Sequence, residues 1–178
     1  LKTMEQKHKE VVLNAGYAGN VGNIYTGQIT FWKTYKEDND LVTELTCEDG
    51  ARAFYHSKTN ISVSKDTSDT EIIKRASKDF NNAQFSHIST VNSTQRVRGR
   101  VISQPTRDLF SQMADKHGAD WSFQDGKIVF INNVDTLNNQ IVSLNYDSGL
   151  LNQPEQTKEG INVKCLLNPA LKIAGKLQ

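Results

Sequence analysis

The side chains with most scope for chemistry are the three arginines in Arg96-Val97-Arg98-Gly99-Arg100. Read as part of a strand over 96–102, they share one face at period two and form a compact positive stripe. The planar guanidinium fork suits phosphate, or the carboxylates of a neighbouring subunit. The plainer reading is a solvated edge strand whose charges guard it against aggregation. Arg96, Arg98 and Arg100 are therefore candidate subunit or partner contacts.

The other reactive side chains do not assemble into a recognised centre. The four histidines, His8, His56, His87 and His117, lie far apart and none sits in a metal-binding pattern such as H-E-x-x-H. His117, near the predicted end of a helix, is explained by the favourable interaction of a histidine with the helix dipole. Glu37-Asp38 falls in a polar bend, and the adjacent side chains of Glu48-Asp49 point to opposite faces of a strand. A glycosidase-type carboxylate pair is set by distance in space, and nothing in the sequence supports one. The serines lack a G-x-S-x-G elbow, and Cys165 has no nearby base. Cys47 and Cys165 read as reduced, buried thiols. Gly16, Gly19 and Gly22 lack the Lys-Ser/Thr ending of a phosphate loop and read as a turn. No catalytic, metal or cofactor-binding residue is predicted.

Composition bounds the possibilities. The chain has 178 residues, enough for a sizeable core, and a net charge of +1. No domain-wide field argues for nucleic acid or an anionic membrane. No apolar run approaches the roughly 20 residues of a membrane span, and LKTMEQKHKE has no apolar signal core. Leu1 in place of a start methionine, and 172–178 reading as the beginning of a strand, lead us to expect part of a longer polypeptide.

The elements that position these residues follow from periodicity. Residues 10–14, 24–35 and 41–47 alternate as strands of an antiparallel meander, with a glycine turn over 15–23 and a polar bend over 36–40. Residues 51–63 have no clear period, although Ile61 and Val63 suit one face of a short strand. From Asp69 to Asn81, Ile72, Ile73, Ala76 and Phe80 recur at helical spacing behind a Ser68/Glu71 capping box. A second helix is expected with Ser103 as cap, Pro105 in the first turn, Leu109, Phe110, Met113 and Ala114 facing a core, and Gly118 ending it. Runs 119–123 and 127–131 flank Asp125-Gly126, a hairpin signal. Strands are expected over 141–146 and 161–167, separated by a polar loop.

Taken in order, AGYAGNVGNIYTGQIT, EIIKRASKDF, GADWSFQDGKIVFI and SGLLNQPEQTKEGINVKCLLNPALKIAGKLQ resemble the baseplate hub proteins of tailed bacteriophages. The matching residues are Ile24-Tyr25-Thr26-Gly27-Gln28-Ile29, then Trp121 with Asp125-Gly126-Lys127, then Gly160, Val163 and Leu166-Leu167-Asn168-Pro169. The resemblance runs from about Leu13 to the end of the sequence. It implies an α+β, mainly β fold in which β-barrel-like tube lobes, 1–65 and 136–178, flank a two-helix α+β insert, 66–135. Each lobe would be incomplete in this sequence.

What the resemblance implies for function is a non-enzymatic structural protein of the virion tail baseplate, assembled in the host cytoplasm. It would form a homotrimeric ring of pseudo-sixfold symmetry joining tail tube to spike. Its partners would be itself and the tube and spike proteins, without membrane, specific nucleic acid or cofactor. Two other classes stay open at this point. One is a segment of a tail-associated cell-wall-processing enzyme. The other is a single-strand-binding β-barrel in which Tyr17, Tyr25, Phe31, Trp32 and Tyr35 stack on bases. The balanced charge and the ease of placing those aromatics in a core argue against the latter.

Overall fold

The computed structural model describes residues 8–80, 83–89, 97–137 and 141–178. Two compact units result: Leu1–Val12 with Tyr25–Val134, and Leu13–Ile24 with Asp135–Gln178. The architecture is α+β and mainly β, with three α-helices among the described residues. No sheet closes into a barrel among those residues.

The expected meander is present as β1 (Glu10–Tyr17), β2 (Asn20–Glu37) and β3 (Asp40–Glu48) in that spatial order. The glycine turn is far shorter than 15–23, because only Ala18-Gly19 leave the strands. Gly16 and Gly22 serve close approach instead. A Cβ on Gly16 would overlap Asn20 O, and one on Gly22 would meet the Pro169 ring at 2.9 Å. A bulge between Ile29 and Phe31 then changes side-chain parity. Ile29 lies opposite Cys47, whereas Phe31 lies opposite Thr46, so simple alternation from Ile29 misplaces every later side chain of β2.

The first unit holds the core. Its further elements are α1 (Ala51–His56), β4 (Lys58–Val63), α2 (Asp69–Ala76), a 3-10 turn (Ser77–Asp79), β5 (Phe85–Ile88), β6 (Arg100–Pro105), α3 (Thr106–His117), β7 (Ala119–Gln124) and β8 (Lys127–Asn132). β4 and β6 pair antiparallel, and β8 lies between antiparallel β7 and parallel β5. Ile72, Ile73 and Ala76 of α2 meet Leu109, Phe110, Met113 and Ala114 of α3 in one core with Phe80, Ile128 and Phe130. Each of the large side chains contributes about 1.5–3 kcal/mol by leaving water. Phe80, Phe110 and Trp121 add edge-on and stacked contacts with ring centres 5.0–5.6 Å apart.

Sequence expectations for the helices hold in their apolar faces and differ at their ends. Ser68 Oγ accepts the Glu71 N–H at 3.1 Å, the first half of the expected capping box. The Glu71 carboxylate turns instead to Arg75 one turn on. α2 gives way after Ala76 to the 3-10 turn, and Asn81 lies outside the described residues. Ser103 does not cap α3. It pairs with Asn60 in the sheet, and the strand runs to Pro105 before the helix begins. The first helical donor, Thr106 N–H, goes to Ser57 O at 3.1 Å, and Thr59 Oγ1 donates to Thr106 Oγ1 at 3.0 Å. Gly118 ends α3 in the left-handed conformation, as expected. Asp125 and Gly126 form the expected two-residue hairpin turn with φ values of 53° and 76°. Two elements of the first unit have no counterpart in the sequence reading, α1 and β5; both are too short for a period to declare itself.

The second unit has little regular structure. β9 (Ile141–Val142) pairs parallel with β12 (Lys176–Leu177), β10 (Glu155–Gln156) pairs with β11 (Ile161–Asn162), and Leu150 bridges Cys165. The strands expected over 141–146 and 161–167 are thus cut to two residues each. At Asn145 the cause is local: its Oδ1 accepts the Ser148 N–H at 2.8 Å, and Ser148 Oγ accepts the Asn145 N–H at 2.7 Å. Such a turn competes with the ladder. No large apolar side chain of this unit is buried among the described residues. The two cysteines are free, as expected, but half-buried rather than buried.

Candidate assembly surface

The far half of β2 and the facing half of β3 form a two-stranded arm in the first unit. Its pairs are Phe31 with Thr46, Trp32 with Leu45, Lys33 with Glu44, Thr34 with Thr43, Tyr35 with Val42 and Lys36 with Leu41. Phe31, Tyr35 and Val42 therefore share one face, while Trp32, Leu45 and Leu41 share the other. Phe31 is 59 % exposed and Leu41 77 % exposed, so large apolar side chains meet solvent on both faces. On the first face Lys33 pairs with Glu44 at 2.8 Å and lies over the Tyr35 ring. A two-stranded ribbon is marginal in water unless another layer covers it. The aromatics proposed as a stacking row are divided by this geometry: Phe31 and Tyr35 stand opposite Trp32.

At its base the arm is joined to the α+β core. Gln28 Oε1 accepts the Arg52 N–H at 3.0 Å, satisfying an otherwise orphan donor in the first turn of α1. Gly50, left-handed at φ 62°, starts that helix, and a Cβ there would overlap the Phe123 ring. Asp49 Oδ1 accepts the Gly126 N–H at 3.1 Å, binding the end of β3 to the β7–β8 turn. Burial raises the Asp49 carboxyl above the usual range, although the Gly126, Asp125 and Gly50 N–H groups act the other way. Nearby, the Tyr25 side chain folds along its strand across Gly27, where a Cβ would overlap the phenol. The Tyr-x-Gly spacing thus lets the ring replace the missing side chain. Burial, with Cys47, Asp49 and Glu48 adding negative charge, raises the Tyr25 phenol.

These groups border a cleft of about 470 Å³. Glu10, Asp49, Asp125 and Lys127 supply its charges, Gln28 and Gln84 its amides, and Phe80 and Phe123 its rings. Sequence reasoning missed this cleft, because its walls come from positions up to 117 residues apart, Glu10 to Lys127. The Asp125-Gly126 hairpin signal was the one local trace of it.

Arg98 lies in a bend, Arg100 opens β6, and Arg96 falls outside the described residues. The strand expected over 96–102 therefore begins later, at Arg100, and its alternation does not extend to Arg98. Arg98 and Arg100 are exposed. A Cβ on Gly99 would meet Val63 O at 2.8 Å, so this glycine lets the arginine segment lie against the end of β4.

The fold brings His8 and His56 together, although no metal-binding cluster of three or more groups occurs among the described residues. His87 Nε2 faces Ser89 Oγ, and His8 meets the His56 ring edge-on at 6.0 Å. His117 has a stronger partner than the helix dipole. Its Nε2 is 3.0 Å from Asp69 Oδ2, which also accepts from Lys116 Nζ at 2.5 Å. Asp69 is fully buried, so this cluster joins the start of α2 to the end of α3.

The first unit thus combines an exposed, sheet-built arm with a clefted α+β core. A family model described as baseplate hub gp41 matches residues 2–178. The chain belongs to that family. Baseplate hub membership makes it a structural component of the phage baseplate, in the virion tail. The family is generally non-enzymatic and implies contacts within the baseplate. No curated protein matches the chain significantly.

Proposed function

We propose that this hub protein works by self-association, as a homotrimer whose ring joins the tail tube to the central spike. The carrying observation is the arm, which leaves Phe31 and Tyr35 uncovered on one face and Leu41 and Leu45 on the other. Neighbouring copies would cover those faces and the free edge of β3, as closed oligomers cover strand edges. In this reading β1–β3 belong to one barrel-like tube lobe and 136–178 to a second, with the α+β insert beside them. Three copies of two lobes supply six similar wall segments to a sixfold tube, and threefold symmetry remains for the spike. The chain acts by geometry, without catalysis or a cofactor, and it assembles in the host cytoplasm.

Solution mass by light scattering over a wide concentration range, on the full polypeptide, tests this. A trimer is the expected result. A monomer at every concentration overturns it.

A further inference from the structure

The cleft and the arginine segment are complementary surfaces of one chain. Glu10, Asp49 and Asp125 set three carboxylates against the single ammonium of Lys127 along the cleft. Arg98 and Arg100 are exposed, and neither has an ion-pair partner among the described residues. Neither lines the cleft of its own chain. Both surfaces belong to the first unit.

We propose that the Arg98–Arg100 segment of one copy docks in the cleft of a second copy. Charge is the first reason, since the cleft is a concave acidic surface and the segment a pair of free cations. Chemistry is the second. Guanidinium groups bind carboxylates through paired N–H donors, use side-chain amide oxygens such as those of Gln28 and Gln84, and stack on rings such as Phe123. The third reason is that the two patches use different residues of one chain. Their contact is head-to-tail, the kind that closes a ring when the rotation between copies permits. This proposal rests on the ring-forming reading and names the surface that would carry one of its contacts.

Charge reversal on the full polypeptide tests it, with self-association followed by sedimentation at about 0.1 M salt, where exposed charges are still felt. R98E/R100E should weaken self-association at least about tenfold, and R98Q/R100Q less. K78E, a reversal at an exposed lysine that neither lines the cleft nor belongs to the arginine segment, should leave it unchanged. A tagged R98E/R100E chain should regain binding to an E10R/D125N chain, in which the cleft carries the opposite charge. Unchanged association of R98E/R100E, with the wild type oligomeric, overturns this contact and leaves the ring intact. The same holds if R98E/R100E self-associates normally but loses another baseplate protein. A wild type that never associates overturns the ring reading, and this contact with it.

Discussion

Asp49 and Gly126, 77 residues apart, are joined by a carboxylate that accepts a backbone N–H at 3.1 Å. Through that bond the last residues of the β2–β3 arm are held by the turn of the β7–β8 hairpin. The burial of Asp49 at this junction, working against that bond, gives the protein a pH dependence. Because burial raises the folded Asp49 carboxyl above its unfolded value, protonation favours the folded state. Its contribution is complete below the unfolded value and is lost as pH rises through the folded one. As pH rises from below the ordinary carboxylate value through the raised folded one, urea unfolding should therefore show wild-type stability falling relative to Asp49→Asn. A constant difference between the two proteins across that range would refute the assignment.

The Asp69 cluster should be the most costly polar group to remove. Asp69→Ala deletes the buried carboxylate and leaves His117 and Lys116 without it, at a cost of about 3–5 kcal/mol. Lys116→Ala should cost under about 1 kcal/mol, since that ammonium is partly exposed. Chemical denaturation of the two variants distinguishes a cluster centred on the buried acid from an ordinary surface pair.

Two left-handed glycines make a matched comparison. Gly50→Ala adds both backbone strain and overlap with Phe123, whereas Gly126→Ala meets open space and pays strain alone. The strain is about 1–2 kcal/mol, so Gly126→Ala should lose about that much and Gly50→Ala distinctly more. Equal melting temperatures for the two variants would contradict the packing of Phe123 on Gly50.

Removing the Tyr25 hydroxyl should do no harm. That oxygen is buried and has no hydrogen-bond partner among the described residues, so Tyr25→Phe is expected to be neutral or to stabilise by up to about 1 kcal/mol. A loss above 1 kcal/mol on thermal unfolding would show that the phenol has a partner.

The arm separates folding from assembly. Phe31→Ser and Leu41→Ser change exposed side chains and should shift monomer stability by no more than about 0.5 kcal/mol. Each should nonetheless weaken self-association, read as a lower mass at fixed concentration. A variant that unfolds while its association constant stays the same would point to a structural role for the arm.

What the sequence determined by itself was local. The faces of α2 and α3 repeat every three or four residues, Ser68 caps within its own turn, Gly118 stops α3 through its own φ, and Asp125-Gly126 makes a hairpin from two residues. Interactions within one turn of chain are written in residue types and spacing. The Tyr25-x-Gly27 spacing belongs with them, because the ring and the glycine share one strand face.

Tertiary structure decided the rest. The bulge after Ile29 reverses the arm's faces because the register of β3 demands an extra residue, and Ser103 loses its expected cap because the β4–β6 ladder claims it. Helix α1 exists because Gln28 and the core receive it, not because six residues announce a period. Asp69 and His117, like Asp49 and Gly126, meet only after the chain has closed loops of 48 and 77 residues. Spacing carries no record of such meetings, since packing of the core brings the distant segments together and sets which of their polar groups face one another.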